Sequence, residues 1–307
     1  MKNIKVLLIA TVLIITGLVA TSCEESNINE PFGKITLKLS DAPLDYAQFK
    51  EANITIDKIQ VRRMDGNSNG DFITLMDNPT KSNLLELVNG MTETLVDYDL
   101  PVGDYDMIRL FISGTEMKMT NGNTYSDEMD FGNFSNNNMM GNGMMANEEM
   151  NSIDIEFESM LSIMEGVHEE FLLDVDVNQS FMLEGVNYIS MATGMMMDIS
   201  GFQFTPIMRF VQMSDAGTIS GTVQEGDNFL HNATVTLMQN GNAYTSTRTD
   251  ENGNFKLIGI PQGELYSVNV ELNGYEMDLD QNEVMMGDFD MMSGSVVNMA
   301  FYMNSIE

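Results

Sequence analysis

Residues 217–275 read GTISGTVQEGDNFLHNATVTLMQNGNAYTSTRTDENGNFKLIGIPQGELYSVNVELNGY, and the punctuation of this stretch decides the fold. Apolar and polar residues alternate over 217–223, 232–238, 243–249, 254–258 and 265–271, the period of two expected of half-buried strands. Asp250-Glu251-Asn252-Gly253 stands between two of these runs, where Asn252-Gly253 supplies the positive-φ residues of a tight hairpin. Phe255, Leu257 and Ile258 then make a buried return strand, and Pro261-Gln262-Gly263 a second turn. The alternating run from Ser295 to Met303 closes the sheet. Short strands at such spacing, with turn signals between them, predict a small β-sandwich.

The same patterning extends upstream. Ile35, Leu37 and Leu39 face one way and Thr36 and Lys38 the other. Ile54, Ile56, Ile59 and Val61 form the next strand, with the phase shifted at Asp57-Lys58 as a bulge would shift it. Further strands are expected over 71–76, 84–88, 104–113, 115–120, 152–158, 170–177 and 203–212. No long stretch carries a 3.6-residue period, so the fold class is all-β, two β-sandwich domains in tandem over 33–213 and 216–307. Leu100-Pro101-Val102-Gly103-Asp104 recurs as Ile260-Pro261-Gln262-Gly263-Glu264. Shared turn physics accounts for this recurrence more readily than duplication does.

Ser40 to Val61 (SDAPLDYAQFKEANITIDKIQV), Leu100 to Ile112 (LPVGDYDMIRLFI), Glu169 to Phe181 (EEFLLDVDVNQSF) and Phe204 to Phe210 (FTPIMRF) resemble the successive signatures of domain of unknown function 4382. That resemblance implies an exported bacterial or archaeal protein and a fold, but no mechanism. The chain departs from the family over 121–151, a Met- and Asn-rich insertion. Gly217 to Tyr275 resembles the carboxypeptidase regulatory-like domain, a transthyretin-like sandwich that serves as an accessory module and is grouped with carbohydrate-binding-like folds. No sugar platform follows from the residues themselves. Trp is absent, and Tyr244, Tyr266 and Tyr275 are as readily packed as displayed.

The N-terminus gives an address. Lys2 and Lys5 precede an apolar run from Val6 to Ala20, which is too short for a lasting span and reads as a secretory signal over residues 1–22. Ala20-Thr21-Ser22-Cys23 resembles the lipobox of bacterial lipoproteins, so lipidation is expected at Cys23, the one Cys in the chain. Residues 23–32 form a tether to the membrane, and more than one acyl chain makes such an anchor stable. Glu24-Glu25-Ser26-Asn27 resembles the surface-export signal of lipoproteins in Bacteroidetes-type bacteria; the alternative is an ordinary polar tether. The expected location is the outer membrane, displayed at the cell surface.

Composition removes several function classes. The 307 residues carry 46 acidic and 14 basic side chains, a formal net charge of −32, which becomes −34 when Lys2 and Lys5 leave with the signal. Such a surface repels nucleic acid and anionic headgroups. Two His and one Cys do not supply the usual zinc, haem or iron–sulfur ligand sets, so no cofactor is implied beyond calcium or Cu(I).

The calcium candidate is Asp65 to Asp71 (DGNSNGD), with oxygens at Asp65, Asn67, Asn69 and Asp71 and a turn glycine at Gly70. Its twelfth position is Met76 where a bidentate Glu belongs, and a hairpin connection accounts equally for these residues. The soft-metal candidate is Met139, Met140, Met144 and Met145, whose thioethers suit Cu(I) or Ag(I). Against it, 30 Met are spread through the chain as adaptable apolar residues, and reversible sulfoxide formation is a further alternative. Catalysis has no visible constellation: His168 and His231 fall in different domains, and Asp174 and Asp176 share one strand face as any acidic surface arranges. The sequence therefore reads as a non-catalytic binding or adhesion module that meets a glycan or an envelope protein. The alternatives are a soft-metal binder and, more weakly, a carboxylate hydrolase.

Overall fold

The computed structural model describes residues 30–42, 48–65, 68–127, 144–147, 152–191, 194–282 and 287–306. Strands follow one another as β1 (Phe32–Ala42), β2 (Phe49–Asp65), β3 (Ser68–Met76), β4 (Thr80–Asn83), β5 (Glu93–Pro101), β6 (Gly103–Met119), β7 (Thr124–Asp127) and β8 (Met144–Asn147). Then come β9 (Ser152–Ile163), β10 (His168–Asp176), β11 (Phe181–Glu184), β12 (Asn187–Met191), β13 (Gly194–Asp198), β14 (Gly201–Phe204) and β15 (Met208–Gln212). The remainder are β16 (Gly217–Glu225), β17 (Asn228–Phe229), β18 (Thr234–Gln239), β19 (Asn242–Arg248), β20 (Asn254–Ile260), β21 (Gly263–Glu271), β22 (Tyr275–Met277), β23 (Phe289–Met291) and β24 (Val296–Ser305). No helix among the described residues is long and apolar enough to cross a membrane.

In the first sandwich a sheet ordered β15-β10-β1-β5 faces one ordered β3-β2-β6-β9-β8, with β4 on β2 and β7 on β6. The alternation read from the sequence fills the space between them, with Ile35, Leu37, Leu39, Ile54, Ile56, Ile108, Leu110, Phe171 and Leu173 all buried. The second sandwich has its own core, built on Ile219, Val235, Leu237, Phe255, Leu257, Val268 and Phe301. Its sheets are β20 and β24 on either side of β16, with β22 beyond β24, and β19-β18-β21-β23. Gly221 is required there, because a Cβ at this position would stand 1.8 Å from the Met299 carbonyl oxygen of the neighbouring strand.

The two sandwiches share one topology. β1 is parallel to β10 and antiparallel to β5, just as β16 is parallel to β24 and antiparallel to β20. β2 pairs with β3 and β6, and β18 with β19 and β21. In both, the chain leaves one sheet for the other at the Pro-x-Gly turn, from β5 to β6 and from β20 to β21. The recurrence seen in sequence thus marks the same crossover in two sandwiches of equivalent strand order, which is more than the shared turn physics first assigned to it.

The bulge expected at Asp57-Lys58 is present, and the departures from the expected strands have local causes. The phase shift at Asp57 is a bulge: Ile56 opposes Ile112 and Lys58 opposes Phe111, leaving Asp57 unopposed. The runs 104–113 and 115–120 are one strand, since Gly114 keeps its ladder place opposite Thr55. The run 203–212 is two strands because Pro206 has no N–H to donate and sits between β14 and β15. The strand expected over 84–88 is instead a 3-10 turn, Leu84–Glu86, that follows β4 and buries Leu84. Of Asn252-Gly253 only Gly253 takes a positive φ, +69°. The stretch 121–151 holds β7 and β8, while 128–143 and 148–151 lie outside the described residues.

Candidate functional site

The continuous run Phe171-Leu172-Leu173-Asp174-Val175 is buried throughout, which an alternating strand with one wet face would not allow. Phe171, Leu173 and Val175 fill the first core. Leu172 points the other way and is covered by the second sandwich, where a Cβ on Gly259 would approach its Cδ2 to 2.7 Å. The outer face of β10 is therefore the joint between the sandwiches.

Two polar devices fix that joint. Asn89, in the loop before β5 and at a positive φ of 59°, donates its backbone N–H to Thr247 Oγ1 at 3.0 Å and accepts from the Lys256 N–H through Oδ1 at 2.6 Å. Arg209 on β15 donates to the Asp174 carboxylate and to the Tyr244 carbonyl, and its guanidinium lies 4.4 Å over the Tyr244 ring. Burial disfavours the charged guanidinium, but Asp174 outweighs it and holds Arg209 protonated. The sequence placed Asp174 on a solvated acidic face; its side chain is only 10% exposed and neutralises Arg209. Asp176, read as its surface partner, caps the helical turn Val177–Ser180 by accepting from Gln179 N at 3.0 Å.

Beside these contacts opens a cavity of about 260 Å³. Its apolar wall is a stack of three rings: Phe157 lies 4.9 Å from Phe210, and Phe210 lies 5.0 Å from Phe171, with interplanar angles of 21° and 13°. Tyr244 and Arg209 close one side, while Glu156, Gln212, Asp215 and Gln262 add polar groups. An aromatic wall with a few polar side chains at an inter-sandwich cleft is the usual build of a binding site. Sequence reasoning missed it because its residues come from six separate segments, and the unbroken apolar triplet at Phe171 was the one available signal.

The residues predicted from sequence are not gathered there. Cys23, Asn67, Met139 and Met140 lie outside the described residues. Met144 and Met145 pair through β8 with Ile155 and Asp154 of β9. Asp65 opposes Ser68 and Asn69 opposes Met64 across the β2–β3 hairpin, while Asp71 is exposed on β3. Among the described residues, no three His, Cys, Asp or Glu stand close enough to hold a metal ion. His168 sits against Thr36 Oγ1 at 2.8 Å in the first sandwich, and His231 occupies an exposed turn of the second. Tyr266 is fully buried; Tyr244 and Tyr275 are half-buried.

The model of the family described as "Domain of unknown function (DUF4382)" matches residues 32–191, and that of the carboxypeptidase regulatory-like domain matches residues 218–289. No curated protein matches the chain. Solved structures similar to it include the Bacillus anthracis TIE protein, 11% identical over 89% of this chain and 58% of that one, with a TM-score of 0.24. The chain thus spans little more than half of that protein. A streptococcal ancillary pilin is 10% identical over 89% of this chain and 69% of its own, with a TM-score of 0.25. The shaft pilin SpaA from Lactobacillus rhamnosus GG is 8% identical over 90% of this chain and 99% of its own, also at 0.25. Likeness at this level carries no functional argument.

Proposed function

We propose, for a chain that belongs to the Domain of unknown function (DUF4382) family, an exported, lipid-anchored module that binds a partner without chemistry. The observation that carries this reading is the ringed cleft between the sandwiches, where Phe157, Phe210 and Phe171 form a continuous apolar wall beside Tyr244. Arg209, the one Lys or Arg among the residues lining the cleft, is held by Asp174 and by Tyr244, so it orients the wall and is not offered to a substrate. Cys23 supplies the membrane anchor, and the partner is a glycan or a protein of the cell envelope.

The test uses the mature soluble chain with Cys23 replaced by Ser, offered to arrays of envelope glycans and of peptides. Binding is expected, and Phe157→Ala and Tyr244→Ala are each expected to abolish it while the protein keeps its melting transition. Absence of binding in both formats, or binding indifferent to both substitutions, overturns the reading.

A further inference from the structure

Four consecutive residues of β15, Arg209 to Gln212, line the cavity, as do three consecutive residues of β9, Ile155 to Phe157. Successive side chains of a strand point to opposite faces. On regular β15 four consecutive residues share the cavity because it runs along the edge of the strand; on β9 the cavity meets the stretch past Ile155, where the ladder with β8 ends and the register with β6 shifts. On β15 that edge is open. Its one ladder among the described residues is with β10, and β15 ends the sheet.

The register shows which backbone groups the edge offers. Met213 N–H donates to the Glu170 carbonyl and Asp176 N–H to the Ile207 carbonyl, both at 2.9 Å. These bonds fix the odd-numbered residues of β15 as the ones bonded to β10 in the antiparallel ladder. The N–H and C=O of Met208 and Phe210 then point away from the sheet, together with the N–H of Gln212, whose carbonyl accepts from Asp215 N at 3.3 Å. A strand edge with unused donors and acceptors is a template for another strand. The five residues of β15 give it a length of about 17 Å.

We infer that the cleft takes an extended peptide segment of a partner protein, which adds as a further strand along β15; this rests on the cleft being the partner site, as proposed above. Main-chain bonds to Phe210 and its neighbours hold the segment, and alternate apolar side chains reach the Phe157–Phe210 wall. Charge selects the residues between. With Arg209 neutralised by Asp174, the charges left at the cleft are the exposed Glu156 and Asp215. They sit on a chain of net charge −32. The matching segment alternates apolar residues with Lys or Arg.

The experiment measures binding of synthetic peptides that alternate Val, Leu or Phe with Lys to the mature soluble chain, then repeats it with single N-methyl groups walked along the best binder. N-methylation at every second position is expected to weaken binding about fivefold or more, with the intervening positions unaffected. Amide exchange at Phe210 and Gln212 should slow in the complex. Equal tolerance of N-methylation at all positions, or unchanged exchange at both amides, overturns the strand-addition inference. Capture of glycans through the same cleft with no peptide bound overturns it too, but leaves the binding-module reading standing. Failure of both ligand classes removes both.

Discussion

Tyr105 donates its phenolic proton to the carbonyl of Pro101, 2.8 Å away, across the turn by which the chain passes from β5 to β6. The second sandwich repeats the device, Tyr266 donating to Pro261 at 3.1 Å where β20 passes to β21. Both rings are fully buried, so each tyrosine fills a core and pins the turn that closes it. Tyr105→Phe and Tyr266→Phe remove the bond while keeping the ring, and each is expected to cost about 1 kcal/mol in urea unfolding. The two cores are separate, so the double variant should lose close to the sum. A cost near zero for both would show that the turns hold without the phenols.

The ion pair between β6 and β9 of the first sandwich behaves differently. Arg109 and Asp154 meet through two bonds of 2.6 Å on adjacent strands, each side chain 9% exposed, with the guanidinium 4.1 Å over the Phe72 ring. Asp154→Ala strands a buried charge and is expected to destabilise by about 3–5 kcal/mol. Arg109→Met combined with Asp154→Leu removes both charges and should restore most of that loss. Chemical denaturation of the single and double variants decides, and a double variant no more stable than Asp154→Ala would refute the account.

How much of this was written in the sequence follows from the range of the interactions. Strand positions and the Asp57 bulge are set by period-two patterning within a few residues, and they were legible from Ile35 to Val61 and again from Gly217 to Glu271. The Pro-x-Gly pair was legible as two turns, but its role as a common crossover needed the pairing of β1 with β5 and of β16 with β20. The cleft was not legible, because Phe157, Phe210 and Tyr244 are brought together by sheet order and by the docking of one sandwich on the other. Asp174 was misread for the same reason: strand periodicity places it on the outer face of β10, and it cannot tell that a second sandwich covers that face.

The joint itself can be tested at Asn89. Its positive φ suits Asn or Gly and strains other residues, so Asn89→Gly keeps the backbone while deleting the acceptor for Lys256 N–H and the weaker 3.4 Å bond to the Asn254 carbonyl. The sandwiches have separate cores, and their mutual stabilisation passes through this joint. Calorimetry is expected to show one transition for the wild type and two for Asn89→Gly, the earlier falling by a few degrees for each kcal/mol lost. Superimposable profiles would assign the coupling to Arg209 and Leu172 instead.

Acid should act on the second sandwich through Asp250. Burial raises the carboxyl, but the amides of Asn254 and Asn252 donate to it at 2.8 and 2.9 Å and outweigh that, so it stays below the ordinary Asp range. The unfolded chain therefore takes up the proton first as pH falls. The stabilisation is complete above the unfolded Asp value of about 4 and is lost as pH drops through the lower folded value. Asp250→Asn keeps an acceptor oxygen and removes the charge, and is expected to cost about 1 kcal/mol at neutral pH. Because many other carboxylates titrate in the same window, the quantity to follow is the difference between wild type and variant. That difference should shrink toward zero as pH falls from the unfolded Asp value of about 4 through the lower folded one. A gap that stays constant across this range would mean that the charge on Asp250 contributes nothing to the β19–β20 turn.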